Sequence, residues 1–255
     1  MISSWSPSRL SKWETCARQA KYEIVDKLCP ACFEGTVAGP WGEPQVCSAC
    51  REVVQDSPAM VRGTGLHKLC EDYITHGGEI HEDLANVSRL LKKFRKLHQK
   101  GKLTIEQDLV FQLGWEPSGK FTKGAWLRTK LDVLVLDGKK AKVVDWKSGG
   151  LDKRTGEVRD DPKYMDQLQV YCTAVLSTHP EVEEVEATLV FIDAPPEKNE
   201  ISAGGLVSRK MLPLLQKKWS QRAAGMLGDT LFAPRPSYSC RWCPFSKTRG
   251  GPCSF

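Results

Sequence analysis

The stretch LRTKLDVLVLDGKKAKVVDWKSG, from Leu127 to Gly149, decides the predicted fold. It contains two segments rich in β-branched and apolar residues, joined at Asp137-Gly138, a dipeptide that favours a tight hairpin turn. Because side chains alternate between the two faces of a strand, Asp145 and Lys147 are expected to share one face. The sequence therefore predicts a β-hairpin that presents an acid and a lysine together.

The length of the hairpin loop decides how close Asp132 comes to Asp145. A two-residue loop pairs Leu136 with Lys139 and makes the two acids diagonal neighbours on one face. A four-residue loop places the two carboxylates directly opposite each other, and only an odd-numbered loop would separate them. The expected registers thus bring two acids and one lysine to one surface.

Two carboxylates beside a lysine suit hydrolysis of a phosphodiester with the help of a metal ion. Carboxylate oxygens are preferred ligands of Mg²⁺ and Mn²⁺. A neighbouring lysine, here Lys147, can orient or deprotonate the attacking water and stabilise charge that develops on the phosphate. The alternative is an ordinary hairpin face whose acids and lysine are only solvated.

Two further segments have helical periodicity and carry polar residues one turn apart. One precedes the hairpin and is entered through a Gly-Thr-Gly sequence, and the other follows the hairpin after a polar loop. The segments with their polar residues are Met60 to Gly77 with His67 and Glu71, and Lys163 to Thr178 with Gln167 and Tyr171.

The order G-x-x-x-H-x-x-x-E, then Asp, then D-x-K, then Q-x-x-x-Y resembles the PD-(D/E)XK nuclease superfamily, specifically its RecB-like branch. The resemblance implies an α/β fold with a restriction-endonuclease-like core, in which helices flank a mixed central sheet. It also implies a divalent metal site and a catalytic lysine. The residues carried over are the metal ligands His67, Asp132, Asp145 and the backbone carbonyl of Trp146, the catalytic Lys147, and Gln167 and Tyr171 beside the site facing DNA.

Length and composition are those of a soluble globular protein with a sizeable core. The chain has 255 residues, of which 40% are hydrophobic and 27% are charged. No apolar run approaches the roughly 20 residues that a membrane-spanning helix needs, and the N-terminal sequence MISSWSPSRL lacks the features of a signal peptide. We expect a cytoplasmic protein in which residues 1–255 form a single nuclease domain with no membrane partner.

The positive charge is concentrated in one amphipathic segment. The formal net charge is +6, and Ser88 to Lys102 contains seven Lys or Arg residues and no acid. Leu90, Leu91, Phe94 and Leu97 recur at helical spacing, which predicts a helix with one packed face and one basic face. The basic face is expected to contact the phosphate backbone of DNA, or alternatively to be only solvated. The residues assigned to DNA binding are Lys92, Lys93, Arg95 and Lys96.

Ten cysteines in a cytosolic chain indicate metal sites rather than disulfides. Cys29-x2-Cys32 and Cys47-x2-Cys50 have the spacing of a four-thiolate zinc ribbon, which we place at residues 28–51 as an insertion. The intervening segment is too short and too rich in Gly and Pro to form a core of its own, so zinc would stabilise it. The ribbon is expected either to contact nucleic acid or a partner, or to be purely structural.

The remaining cysteines include three near the C-terminus, within residues 240–253. The N-terminal helix resembles that of RecB-like nucleases in which one N-terminal and three C-terminal cysteines hold a 4Fe-4S cluster. The resemblance implies that Cys16 completes the set, and thiolates suit such a cluster chemically. A second zinc is the alternative. The set is Cys16, Cys240, Cys243 and Cys253, whereas Cys70 and Cys172 are expected to be buried apolar residues.

The pattern of the rest of the chain predicts two more strands and two more helices. The first helix is expected to start at Ser4 or Ser6, followed by Pro7, and to run to about Tyr22. On the first of the strands, Glu106 is expected to be a solvated edge residue, with an additional acid near the metal as the alternative. The other predicted elements are strands Leu103 to Leu113 and Val185 to Ile192 and a helix within Gly204 to Leu227.

These features together predict a metal-dependent DNA nuclease, expected to be an exonuclease, that acts in recombination, repair or end processing. The alternative is a non-catalytic or partner-dependent nucleic-acid-binding subunit of a recombination complex. No G-x-x-x-x-G-K-[ST] phosphate loop occurs in the sequence, so ATP-driven unwinding would require a helicase or recombination protein as partner. The sequence carries no signal for a particular oligomeric state.

Overall fold

Two compact units make up the chain in the computed structural model. Unit 1 combines Met1–Ser57 with Ser220–Phe255, and unit 2 is the continuous segment Pro58–Trp219. The structure describes residues 1–38, 45–54, 57–152, 154–155, 157–158 and 161–255, without the side chains of 201–205. No described helix is long and apolar enough to cross a membrane.

Unit 1 begins with two short helices that meet at Cys16. Helix α1 (Pro7–Thr15) starts at Ser6, whose hydroxyl accepts a hydrogen bond from the backbone N–H of Arg9 at 3.3 Å. Helix α2 (Ala17–Ala20) follows, and a π-helical turn at Lys21–Val25 ends the segment. Cys16 itself has extended backbone angles, φ −159° and ψ 110°. The continuous helix expected from the sequence is therefore interrupted at the cysteine.

The predicted ribbon region and the residues directly after it form a small antiparallel sheet of three strands. They are β1 (Val37–Ala38), β2 (Gln45–Cys47) and β3 (Val53–Val54), with β2 in the centre. Residues 39–44 of the predicted ribbon lie outside the described residues. Gly35 is required here, because a Cβ at this position would lie 2.4 Å from Sγ of Cys47.

Three helices of unit 2 match the helical segments predicted from the sequence. In α5 the side chain of Asp161 accepts a hydrogen bond from the backbone N–H of Lys163 at 3.0 Å, and Pro162 occupies the first turn. Buried Leu91 and Phe94 mark the packed face of α4. The helices are α3 (Pro58–His76), α4 (Ser88–Gln99) and α5 (Pro162–Thr178).

A six-stranded sheet with the order β5-β4-β6-β7-β8-β9 forms the rest of unit 2. Strands β7 and β8 are parallel and are connected through α5, whereas all other neighbours are antiparallel. The predicted α/β fold with a mixed sheet flanked by helices is thus confirmed. The strands are β4 (Leu103–Gln112), β5 (Glu116–Ser118), β6 (Leu127–Asp137), β7 (Lys140–Lys147), β8 (Glu184–Phe191) and β9 (Glu200–Ser208).

The turn of the central hairpin lies one residue later than the sequence suggests. Asp137 pairs with Lys140, so Gly138 and Lys139 form the two-residue loop. Gly138 has φ +60°, which suits glycine at the first central position of a type II′ turn. Leu136 consequently pairs with Ala141, the register that sets Asp132 opposite Asp145.

The main core of unit 2 contains side chains of α3, α4 and the sheet. Trp146 on β7 belongs to this core, and its ring meets that of Phe94 edge-on with centroids 6.0 Å apart. Other members from α3 and the sheet include Leu66, Ile74, Val133, Val144 and Val190. This packing holds the backbone of β6 and β7 in place, so their opposite face can carry polar groups.

The last part of the chain starts with helix α6 (Leu212–Leu227) and continues in unit 1 as short 3-10 helices at Tyr238–Trp242 and Lys247–Arg249. Phe245 is buried between the rings of Tyr22 and Phe33, with centroid distances of 5.2 Å and 6.3 Å. Gly251 allows the close return of the chain, since a Cβ there would lie 2.3 Å from the backbone of Phe245. One aromatic side chain thus joins three segments of unit 1.

Candidate active site and cysteine clusters

The hairpin β6–β7 brings the two predicted acids face to face. Asp132 and Asp145 lie one position beyond Val133 and Val144, the last paired residues of the β6–β7 ladder. Oδ2 of Asp132 accepts a hydrogen bond of 2.8 Å from the backbone N–H of Trp146. This bond fixes one carboxylate across the strand from the other.

Asp145 is the most buried acid of this group, with a relative exposure of 4%. Its Oδ1 accepts hydrogen bonds from the Tyr171 hydroxyl at 3.1 Å and from Nε2 of Gln167 at 3.3 Å. Its Oδ2 is fully buried and forms an ion pair with Nζ of Lys147 at 2.7 Å. Burial raises the pKa of Asp145, and the positive charge of Lys147 only partly offsets this shift.

The predicted catalytic lysine is held by the two helical residues expected beside the site. Nζ of Lys147 donates a hydrogen bond to Oε1 of Gln167 at 3.0 Å. Nε2 of Gln167 in turn lies 2.6 Å from the hydroxyl of Tyr171, one turn later on α5. Gln167 therefore links the lysine to the carboxylate of Asp145 through opposite ends of one amide.

Helix α3 places His67 next to Asp132, with Nδ1 and Oδ2 3.4 Å apart. Burial alone would lower the pKa of His67, but the hydrogen bond and charge of Asp132, with the charge of Asp145, outweigh burial and raise it. Gly63, one turn earlier, permits this approach of α3, because a Cβ there would lie 2.8 Å from Oγ of Ser148. Glu71 is not part of the group and forms an ion pair of 3.0 Å with Lys68.

Glu106 joins the site although the sequence favours a solvated edge residue. One ligand atom each from His67, Glu106 and Asp132 lies within 4.8 Å of the others. The backbone of Glu106 has φ +53°, a left-handed conformation that is rare for a residue with a side chain. The pairing of Ile105 with Val133 and of Gln107 with Leu131 sets Glu106 opposite Asp132. Only this register between β4 and β6 could have revealed it.

Asp193, which follows β8, ties together two segments next to the site. Its carboxylate accepts two hydrogen bonds from the guanidinium of Arg62, at 2.7 Å and 2.9 Å. It also accepts one from the backbone N–H of Gly149 at 3.0 Å. The start of α3 and the end of β7 are thereby held by a single side chain.

The donor set fits a hard divalent cation. One ligand atom each of His67, Glu106 and Asp132 lies within 4.8 Å of the others, and Asp145 lies across the hairpin from Asp132 with Nζ of Lys147 2.7 Å from its Oδ2. Oxygen-rich sites of this kind suit Mg²⁺ and Mn²⁺. The side chain of Trp146 lies in the core, and the carbonyl of Trp146 as a ligand stays a prediction.

The predicted basic face of α4 divides into two parts. The side chains of Lys92, Lys93 and Lys96 are exposed to solvent. Arg95 instead donates hydrogen bonds of 3.3 Å to the carbonyls of Tyr73 and Ile74. Arg95 therefore satisfies the last turn of α3, and the three lysines form the exposed basic group.

The four ribbon cysteines are arranged as a zinc site requires. Sγ of Cys29 lies 4.0 Å from Sγ of Cys50, and Sγ of Cys32 lies 3.6 Å from Sγ of Cys47. A tetrahedral zinc with Zn–S bonds near 2.3 Å separates its sulfur ligands by about 3.8 Å. The backbone N–H groups of Glu34 and Gly35 lower the pKa of Cys32 to about 6, whereas burial and the neighbouring thiols raise the pKa of Cys50 to about 12.

The second set of cysteines lines one cavity in unit 1. Burial raises the pKa of Cys243, and the charges of the other three thiols add to the shift. In the described part of the chain, the four sulfur atoms of this set do not all lie within 4.8 Å of one another, as those of the ribbon do. The four thiols are thus more widely spaced than those of the ribbon. They are Cys16, Cys240, Cys243 and Cys253.

Comparison with known proteins gives one family and several similar structures. A family model described as the PD-(D/E)XK nuclease superfamily matches residues 4–248. An alkaline exonuclease from Laribacter hongkongensis is 12% identical, with 88% of each chain covered and a TM-score of 0.39. A protein from Eubacterium rectale, named as a candidate exonuclease, is 14% identical, with 95% of this chain and 87% of that chain covered and a TM-score of 0.48. None of the curated proteins matches this chain.

Proposed function

This chain belongs to the PD-(D/E)XK nuclease superfamily, and we propose that it is a metal-dependent DNA nuclease that hydrolyses phosphodiester bonds. The observation that carries the proposal is the convergence of His67, Asp132, Asp145 and Lys147 at one end of the central hairpin. Glu106 completes the acidic group. A solvated hairpin face would not bury Asp145 to 4% exposure beside a second carboxylate.

His67, Asp132, Asp145 and Glu106 would hold Mg²⁺ or Mn²⁺, which supplies a Lewis acid at the phosphate and lowers the pKa of bound water. Lys147 presents its ammonium beside the acids, where it can stabilise negative charge on the phosphate and orient the water. Gln167 and Tyr171 hold Oδ1 of Asp145, and Lys147 lies beside its Oδ2, so the carboxylate and the ammonium are held next to each other.

The ligand we propose is DNA, and the exposed lysines of α4 are the proposed contacts to its backbone. Lys92, Lys93 and Lys96 lie on a helix face without acidic residues, which suits binding to phosphates. Exonucleolytic cleavage in recombination, repair or end processing is the finer proposal, which follows from the RecB-like order of the motifs. A helicase or recombination protein would supply any unwinding.

We further propose two structural metal centres. The ribbon at residues 28–51 holds zinc through Cys29, Cys32, Cys47 and Cys50, whose sulfur separations support a single ion. The wider second set supports a 4Fe-4S cluster, since irons and sulfides would lie between its thiolates. Anaerobic purification with metal analysis tests both, and we expect about four irons and one zinc per chain.

Cleavage of end-labelled linear single-stranded and double-stranded DNA, beside a closed circle, tests the proposed function. The protein is assayed with Mg²⁺ or Mn²⁺ together with the variant Asp145→Ala. The matched control is Asp137→Ala, which removes an exposed carboxylate from the turn of the same hairpin. We expect Asp145→Ala to lose at least about a hundredfold in rate, and Asp137→Ala to cut like the wild type.

Loss of the linear strands only, and only with metal, would support an exonuclease, and the labelled end would give its direction. Cutting of the circle would replace the exonuclease with an endonuclease. Wild-type rates in Asp145→Ala would refute the site assignment. No cleavage by protein that retains its iron and zinc would refute the catalytic function and favour a DNA-binding subunit.

A further inference from the structure

Two exposed aromatic rings enclose an arginine on the 3-10 helix Tyr238–Trp242 of unit 1. Tyr238 is 75% exposed and Trp242 is 63% exposed. The guanidinium carbon of Arg241 lies 4.7 Å from the centroid of each ring. A guanidinium at this distance interacts with the π-face of each ring, and the three side chains form one surface, which we call the aromatic stack.

The geometry of the 3-10 helix explains why these side chains lie together. Residues three apart are eclipsed on a 3-10 helix, which brings Arg241 over Tyr238. Cys240, between them, instead lines the cavity of the cysteine set. Ser237 caps the helix, with its hydroxyl accepting a hydrogen bond from the N–H of Ser239 at 3.3 Å. The cysteines therefore hold one side of the helix and leave the aromatic stack on the other.

The segment that carries the aromatic stack has basic residues but no Asp or Glu. Residues 230–255 contain no Asp or Glu, and besides Arg241 they contain three exposed basic residues, Arg235, Lys247 and Arg249. The guanidinium of Arg235 donates hydrogen bonds to the backbone carbonyls of Trp13 and Glu14 at 2.7 Å, so we assign Arg235 a structural role. Exposed cations without acids favour a polyanionic partner.

We propose that the aromatic stack binds single-stranded DNA by stacking on its bases. Exposed aromatic faces with an arginine and nearby cations are what sequence-independent single-strand sites combine. In a duplex the base faces are covered by their neighbours, so the stack discriminates in favour of single strands. The inference rests on the proposed function for the choice of DNA as ligand, but it requires no hydrolysis and none of the residues of the active site.

Fluorescence anisotropy with a labelled oligo(dT) of about 15 nucleotides tests the inference. The measurement uses the metal-loaded full chain without added Mg²⁺ or Mn²⁺, next to a duplex of the same length. We expect Trp242→Ala and Tyr238→Ala each to bind oligo(dT) about tenfold more weakly. The matched control is Phe121→Ala, since Phe121 is an aromatic residue of unit 2 that is 89% exposed. This control should bind like the wild type.

Two further variants separate stacking from other effects. Trp242→Phe keeps a π-face and should retain binding, whereas Trp242→Leu keeps an apolar side chain without one and should not. Iron content measured on each variant identifies any change caused by loss of the cluster. Because Trp242→Phe removes one indole, it should also lose part of the quenching of tryptophan emission that oligo(dT) causes.

Binding of oligo(dT) by Trp242→Leu and Tyr238→Ala within twofold of the wild type would overturn the inference and leave a protein partner as the occupant of this surface. Equal losses on single strands and duplex would also overturn it, because stacking would not be the cause. If the wild type cuts DNA while these variants bind normally, only this inference fails. If the variants lose binding while the wild type does not cut, only the proposed nuclease activity fails.

Discussion

Unit 2 and unit 1 are stabilised in different ways. Unit 2 buries a continuous apolar core, in which Leu131, Val133 and Ile74 are fully buried. Unit 1 holds eight of the ten cysteines, in two clusters, and its elements are short. Catalytic groups with unfavourable burial can be carried by the first kind of structure, whereas the second would depend on the metal centres proposed for its thiols.

The largest effect is expected from loss of a ribbon ligand. Cys32→Ser should release zinc and unfold the ribbon, because structural zinc supplies about 10–16 kcal/mol of folding free energy in small zinc domains. Limited proteolysis with mass spectrometry should then show cleavage in unit 1 and a protected fragment near residues 58–219. Cys172→Ala, which removes a buried thiol of unit 2, is the control and should leave zinc bound. If the protease cut first within residues 58–219, the proposed difference in how the two units are stabilised would be contradicted.

Truncation of a core side chain of unit 2 should destabilise that unit and leave the metal content of the protein unchanged. Phe94→Ala should lower the free energy of unfolding of unit 2 by about 3–5 kcal/mol, because Phe94 is almost fully buried against Trp146. Urea denaturation measures this change, and metal analysis should find the same zinc and iron contents as in the wild type. The exposed Phe121→Ala is the control. Loss of metal from Phe94→Ala would show that the two kinds of stabilisation are not separate.

A smaller effect is expected at Asp145, where substitution should stabilise the protein and not destabilise it. The raised pKa of Asp145 means that its ionised form destabilises the folded state, a cost that appears as the pH rises through the folded-state pKa. Asp145→Asn should therefore raise the Tm of the Mg²⁺-free protein at pH 7 while it abolishes cleavage. Mg²⁺ should raise the Tm of the wild type but not of the variant. An Asn variant that melts below the Mg²⁺-free wild type would contradict this account.

The smallest effect is expected at Asp193. Hydrogen bonds from Arg62 lower the pKa of Asp193 below the ordinary value of 3.8, so its contribution is present above that pH and is lost as the pH falls below it. The pair is partly exposed, and Asp193→Asn should cost about 1 kcal/mol at pH 7. Urea denaturation at pH 7 and pH 3 should show a difference between variant and wild type that shrinks at the lower pH. A constant difference would exclude the ion pair as its cause.

The elements nearest the active site could be predicted because their signals are local. Helix α5 has a cap in its own sequence, α3 and α5 both have helical periodicity, and β6 and β7 alternate around a glycine turn. The turn lies one residue later than predicted, at Gly138-Lys139. Gly138, which has a positive φ, is the first of the two central turn residues and not the second. The observed register therefore sets Asp132 directly opposite Asp145, as was predicted for a four-residue loop.

The features that could not be predicted depend on contacts between distant residues. Glu106 reaches the site through the register of β4 with β6 and through a positive φ that no local pattern encodes. Arg95 matches the other basic residues in sequence, yet carbonyls at the end of α3 bind it. Strand β9 was not anticipated, since its Gly-rich sequence has weak strand propensity and it exists by pairing with β8.

The position of Cys16 apart from Cys240, Cys243 and Cys253 has a consequence for synthesis. The ribosome completes all of residues 58–219 between the first of these thiols and the other three. Unit 2 can therefore fold during translation, whereas the proposed cluster at this cavity could be completed only after Cys253 has been added. Chains that terminate before Cys240 would lack three of the four proposed ligands, so the proposed cluster could not form on them.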